Sequence, residues 1–368
     1  MPDFPRQPGA LTAGWLTAAL RASGAVSRAR VTAFEVLPLS PEKGITGTLT
    51  ALAMTYDVAE PDAPSRLVAK FSSDHPQLRA VVHSMGFFER EVRFYRELAG
   101  TTPVRTPRCY FADFDPVEGW SLILLEDLTS QRCGSWAAGS SLAEVQVALS
   151  AIAAVHAGWW RSSTLPSKPW LGLAGLTSVP QMQQIMIDSW PGFLDRLSVP
   201  VTTAIADAGE LAGRYLTETS GYLLESSPST LIHHDFDADN LIFSEVDGRL
   251  SVTVIDWQLV TQGHAAVDVG WLVAGQCDPA TRREHERDLV AGYHRVLVRH
   301  GVPDYSLEQC WDDYRLTMLM AVARLSTAVG VQPGPRGGFW DVVFPRYAQA
   351  LADLDVADLL ESRHAALV

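Results

Sequence analysis

Basic residues are scarce: 29 lysines and arginines stand against 42 aspartates and glutamates, and the formal net charge is -13. Binding phosphate backbones needs the opposite balance, so no nucleic-acid partner is expected. The acidity suits a cationic ligand, or it serves only solubility. Cysteine is scarce too. Cys109, Cys133, Cys277 and Cys310 lie far apart, with no pair at metal-ligand or redox spacing, which suits a reducing cytoplasm. No apolar run reaches the roughly 20 residues that cross a bilayer, because polar residues interrupt stretches such as Ser121 to Leu128 and Ala265 to Gly275. Met1 to Ala10 carry prolines and charges where a secretion signal needs a basic start and an apolar run, so neither export nor a membrane is expected.

What is present is a packed chain: 47% of residues are hydrophobic and eleven tryptophans need burial. A length of 368 residues suits two domains, or one domain of two lobes. The pattern predicts a helix over Leu11 to Ala22, then strands at Val31 to Leu37, Gly47 to Asp57 and Arg66 to Phe71. A helix over Val82 to Leu98 and strands at Cys109 to Asp113 and Ser121 to Leu125 follow. From Leu142 helical periodicity dominates, through Val179 to Leu197, Val201 to Leu224, Pro279 to His300, Leu307 to Val329 and Phe339 to Ser362. Strands between Thr230 and Asp256 interrupt it. The class is α+β, and the turn-rich segment after Thr129 separates residues 1–128 from residues 129–368.

The densest polar cluster is His233-His234-Asp235-Phe236-Asp237-Ala238-Asp239-Asn240, between apolar strands. Asp247-Gly248 then predicts a two-residue hairpin turn whose paired positions sum to 495, which puts Asn240 opposite Ile255 and next to Asp256. Two oxygen ligands side by side suit Mg²⁺, a hard cation that keeps water and phosphate for its other positions. Asp235, at the start of the loop, could orient a hydroxyl and take its proton. Aspartates are also ordinary turn residues, and histidines with aspartates also build metal hydrolase sites, here through His233 and His234.

Upstream, Lys70 interrupts the apolar strand Leu67 to Phe71, similar to the Val-Ala-x-Lys strand of kinases; strand lysines commonly just face solvent. Phe88, Glu91, Tyr95 and Leu98 recur at three- and four-residue steps, so Glu91 lies on the apolar face of a helix and needs a cation, for which Lys70 is the obvious partner. Gly44 and Gly47 precede a strand where kinases place a phosphate-covering loop, although glycines of a plain hairpin would look the same. His156 reads as a packed core histidine. Trp311, Asp312, Asp313 and Arg315, with Arg324 one face further on, could reach an acceptor pocket among the helices, but a solvated helix face explains them equally well and they receive no role.

The His-x-Asp loop, the asparagine five residues after its aspartate and the run Ile255-Asp256-Trp257-Gln258 resemble the aminoglycoside phosphotransferase and choline kinase superfamily, and within it the ecdysteroid-kinase-like branch. The resemblance implies a bilobal protein-kinase-like fold: a small lobe with an antiparallel sheet and one key helix, and a large helical lobe. It implies transfer of the γ-phosphate of ATP or GTP, with magnesium, to a hydroxyl of an antibiotic or metabolite. By the same resemblance Asp235 is catalytic, Asn240 and Asp256 bind magnesium, and Lys70 with Glu91 positions the phosphates. Gly44 and Gly47 cover the phosphates, and the backbone at Glu126, Asp127 and Leu128 holds the purine at a hinge. Gly263 and Asp268 match a segment that buttresses the loop. His234 departs from the family pattern, which usually has glycine there. A monomer or homodimer is expected, and an inactive nucleotide-binding protein of the same fold is the alternative to an enzyme.

Overall fold

A computed structural model describes residues 4–39, 47–172, 179–226, 229–330 and 337–367. The chain divides into two compact units, Met1–Arg132 with Thr253–Val260, and Cys133–Val252 with Thr261–Val368. The segment that carries Asp256 therefore belongs to the first unit.

In the first unit, helix α1 (Ala13–Ala22) is followed by strands β1 (Val31–Pro38), β2 (Gly47–Tyr56) and β3 (Arg66–Ser72). Helices α2 (Pro76–Ser84) and α3 (Phe87–Arg93) and strands β4 (Cys109–Phe114) and β5 (Ser121–Glu126) complete it. The five strands form an antiparallel sheet in the order β1-β2-β3-β5-β4. Alternation along β3 sorts its side chains: Leu67, Ala69 and Phe71 join Leu16 and Leu20 of α1 and Leu122 and Leu124 of β5 in one buried cluster. Each fully buried leucine or phenylalanine there contributes about 1.5–3 kcal/mol. Lys70, with the opposite parity, lies on the other face of the sheet. The helix expected over Val82 to Leu98 is two helices, because Gly86 adopts a left-handed φ of 73° that ends α2 and lets the chain restart as α3. Beyond Arg93 the helix widens into one π-type turn over Phe94–Leu98.

The two-residue strand β6 (Arg132–Cys133) spans the division, and the second unit continues with helices α4 (Leu142–Gly158), α5 (Val179–Arg196) and α6 (Thr203–Ser226). Four short strands follow: β7 (Thr230–Ile232), β8 (Leu241–Val246), β9 (Arg249–Val254), whose last two residues belong to the first unit, and β10 (Thr261–Gly263). The chain ends in helices α7 (Ala266–Gln276), α8 (Pro279–Arg299), α9 (Leu307–Gly330), α10 (Phe339–Asp353) and α11 (Val356–Leu367). Ser141 and Glu144 close a reciprocal cap at the start of α4. Every residue of α7 is buried, Asp268 and Gln276 included, so this helix has no exposed face and carries no periodic signal. The helix expected over Phe339 to Ser362 breaks at Asp355, whose φ is 48°. Among the described residues no helix is long and apolar enough to cross a membrane.

The turn between β8 and β9 has positive φ at both Asp247 (52°) and Gly248 (71°), the two-residue form that matches strand twist. The Ser244 and Ser251 hydroxyls lie 2.8 Å apart, as direct cross-strand partners do. Asn240 immediately precedes β8, and Asp256 lies two residues beyond β9.

Candidate active site

The first unit gathers three charged side chains from separate parts of the chain. Lys70 Nζ lies 2.7 Å from Glu91 Oε2 and 2.9 Å from Asp256 Oδ1. Glu91 is only 3% exposed, where an unpaired carboxylate would cost several kcal/mol. Burial alone would lower the lysine pKa, but the Asp256 and Glu91 carboxylates outweigh it and hold it above its ordinary value. Burial pushes the Glu91 carboxyl upward against the pull of Lys70. Packing fixes the arrangement: the Trp257 indole stacks on Phe94 at 4.0 Å between ring centres and 7° between planes, which draws the residue next to Asp256 onto the helix of Glu91. Trp257 Nε1 donates to the Val254 carbonyl, closing the bend. Asp256 itself has a φ of 59°, a conformation that costs a non-glycine residue on the order of 1 kcal/mol and persists only where its surroundings impose it.

The second unit holds the polar loop. Antiparallel pairing of β7 with β10, Ile232 opposite Thr261, delivers the chain to His233. The fully buried Asp268 of α7 then accepts the backbone N–H of His233 at 2.7 Å and of His234 at 2.8 Å. It also lies 3.2 Å from His156 Nε2. A carboxylate can only accept, so Nε2 carries the imidazole proton, and Nδ1 accepts from the Tyr293 hydroxyl at 2.7 Å. Burial raises the Tyr293 pKa and keeps that hydroxyl a donor. Burial would also raise the Asp268 pKa, but the hydrogen bonds from His156 Nε2 and the His233 backbone N–H keep it below the ordinary carboxylate value. His234 takes a left-handed φ of 66°, the conformation in which glycine is free of strain.

Asp235 follows. Its Oδ1 accepts from Arg324 of α9 at 2.7 Å, and Arg324 also donates to the His234 carbonyl. Asn240 Nδ2 donates to the Asp235 carbonyl at 2.9 Å and approaches its Oδ2 at 3.3 Å. Asp237 and Asp239 serve the turn: Asp237 accepts the Asp239 N–H, and Asp239 accepts the Trp136 N–H, each at 3.0 Å. Burial, with repulsion from Asp235 and Asp239, raises the Asp237 carboxyl well above its usual range. Among the described residues no group of three or more His, Cys, Asp or Glu side chains is arranged to hold a metal.

At the end of β5 the side chains are already engaged. Glu126 accepts from Arg105 at 2.7 and 2.8 Å, and Asp127 from Arg66 at 2.6 Å, while Leu128 is buried. Gly47 has a local reason to be glycine, since a Cβ there would lie 2.1 Å from the Phe71 carbonyl oxygen of β3. Gly44 lies outside the described residues. The sequence pattern gives Arg324 no role, although an arginine between Ala323 and Leu325, both buried, is a signal in itself, because a cation among apolar neighbours needs a partner.

The sheet, its helix and the helical second unit define a protein-kinase-like fold. It is shared with a provisionally assigned aminoglycoside phosphotransferase of Ralstonia eutropha, at TM-score 0.55 and 17% identity over 92% of this chain and 97% of that one. A choline kinase from Cryptosporidium parvum Iowa II is similar at TM-score 0.54 and 10% identity, with coverage of 89% and 90%. An ethanolamine kinase of Plasmodium vivax is similar at TM-score 0.53 and 13% identity, with coverage of 93% and 86%. The model of the phosphotransferase enzyme family matches residues 52–306, and the chain belongs to that family. No curated protein matches.

Proposed function

We propose that the protein transfers the γ-phosphoryl group of ATP or GTP to a hydroxyl of a small molecule, an antibiotic or a metabolite, in the cytoplasm. The observation that carries this reading is Lys70 of β3 held between Glu91 and Asp256, a partly buried cation preset to meet nucleotide phosphates. Asp235 is the proposed catalytic residue, orienting the acceptor hydroxyl and taking its proton. Asn240 and Asp256 are the proposed magnesium ligands. The Asn240 amide nitrogen is spent on Asp235, which leaves its oxygen to coordinate, and Asp256 Oδ2 has Gln258 at 3.5 Å, a long contact. Both are hard oxygen donors of the kind magnesium takes. Bound magnesium would neutralise charge on the phosphoryl oxygens. In this reading Gly44 and Gly47 belong to a phosphate-covering loop, and the backbone at Glu126, Asp127 and Leu128 receives the purine.

A coupled screen for nucleoside diphosphate release over hydroxylated antibiotics and metabolites, ADP from ATP and GDP from GTP, tests the proposal. Asp235→Asn should abolish turnover while the nucleotide still raises the melting temperature. Absence of a thermal shift with either nucleotide would defeat it.

A further inference from the structure

Arg324 sits in α9 between the buried Ala323 and Leu325. One guanidinium nitrogen donates to the His234 carbonyl and the other to Asp235 Oδ1 at 2.7 Å, while the guanidinium carbon lies 4.2 Å from the centre of the Trp271 ring. The aspartate's other oxygen faces Asn240 Nδ2 at 3.3 Å. Asp268 meanwhile holds the two preceding N–H groups. The left-handed backbone at His234 accompanies this split, its N–H going to Asp268 and its carbonyl to Arg324. The planar fork of Arg324 thus ties one loop carbonyl and the adjacent carboxylate together, and the indole face fixes the plane of the fork. A lysine ammonium, a point charge without that fork, would not reproduce this geometry.

We infer that Arg324 is the positioning residue for Asp235, setting the rotamer in which the carboxylate meets an acceptor hydroxyl; this rests on Asp235 being the catalytic residue. Arg324 acts through the aspartate and need not touch the substrate. Misplacement of a reacting group by about 1 Å costs about a hundredfold in rate. Loss of the fork therefore lowers kcat while leaving the nucleotide KM near its original value, since nucleotide phosphates are assigned to Lys70.

The test is ADP release from MgATP with water as acceptor, comparing wild type with Asp235→Asn, Arg324→Gln, Arg324→Lys and Arg324→Ala, the last with and without millimolar guanidinium. The expected result is loss of turnover for Asp235→Asn and a fall in kcat of about a hundredfold for Arg324→Gln and Arg324→Ala, with a smaller fall for Arg324→Lys. Guanidinium should restore Arg324→Ala and leave Asp235→Asn unchanged. Wild-type rates in Arg324→Gln beside a slow Asp235→Asn overturn the positioning role alone. A loss in Arg324→Ala that guanidinium does not restore, accompanied by a lowered melting temperature, marks a merely structural arginine and overturns it too. Release at the wild-type rate by Asp235→Asn overturns the catalytic reading and this inference with it.

Discussion

Asp268→Asn keeps the shape of a fully buried side chain and removes its charge, so it isolates the electrostatic support of the polar loop. Asp268 accepts the His233 N–H at 2.7 Å and the His234 N–H at 2.8 Å and faces His156 Nε2 at 3.2 Å. An asparagine offers one acceptor oxygen, so an amide NH₂ must confront a donor. Losing a hydrogen bond to a charged group costs about 1.5–3 kcal/mol, and the buried donor left without an acceptor costs about 1–3 kcal/mol more. The expected destabilisation is about 3–5 kcal/mol, a fall in melting temperature on the order of 10 °C for a unit of this size. Its pH dependence has a definite sign. The folded-state pKa of Asp268 lies below the ordinary carboxylate value, so its contribution is complete above about pH 4, the unfolded value, and is lost as pH falls through the lower folded value. Urea titrations of both proteins between pH 7 and pH 3 should show the gap between them narrowing in acid. A variant within about 1 kcal/mol of wild type at pH 7 would refute this account of the loop.

Lys70→Met leaves Glu91 buried without a cation and should destabilise by about 3–5 kcal/mol. Adding Glu91→Leu should recover part of the loss, so a double-mutant cycle by chemical denaturation should be clearly non-additive; additive losses would count against the pair. His234→Gly relieves a left-handed side-chain conformation worth about 1–2 kcal/mol, partly offset by the freedom glycine adds to the unfolded chain. A net gain of up to about 1 kcal/mol is expected, and a loss above about 1 kcal/mol would mean that the imidazole itself holds the loop.

Local chemistry was readable residue by residue. Phe88, Glu91, Tyr95 and Leu98 are all buried, as their spacing required, because helical periodicity depends only on the 3.6-residue repeat. The Asp247-Gly248 turn was readable because few residue pairs tolerate two consecutive positive φ angles. The helix breaks at Gly86 and Asp355 were not, since isolated glycines and aspartates occur inside helices as well as between them. The buried α7 escaped detection because a helix buried on every side alternates with no polar face and has no phase.

The sequence by itself determined which residues could do chemistry: a lysine in an apolar strand, a carboxylate on an apolar helix face, and a loop crowded with aspartates. Only the tertiary structure decided who meets whom. Asp256 reaches Lys70 across 186 positions of chain and Arg324 reaches Asp235 across 89, and no local pattern encodes either distance. The physical reason is that a charged group removed from water takes whatever counter-charge the packing brings within hydrogen-bonding reach. That choice is made by the stacking of Trp257 on Phe94 and of Arg324 on Trp271, not by neighbours in sequence.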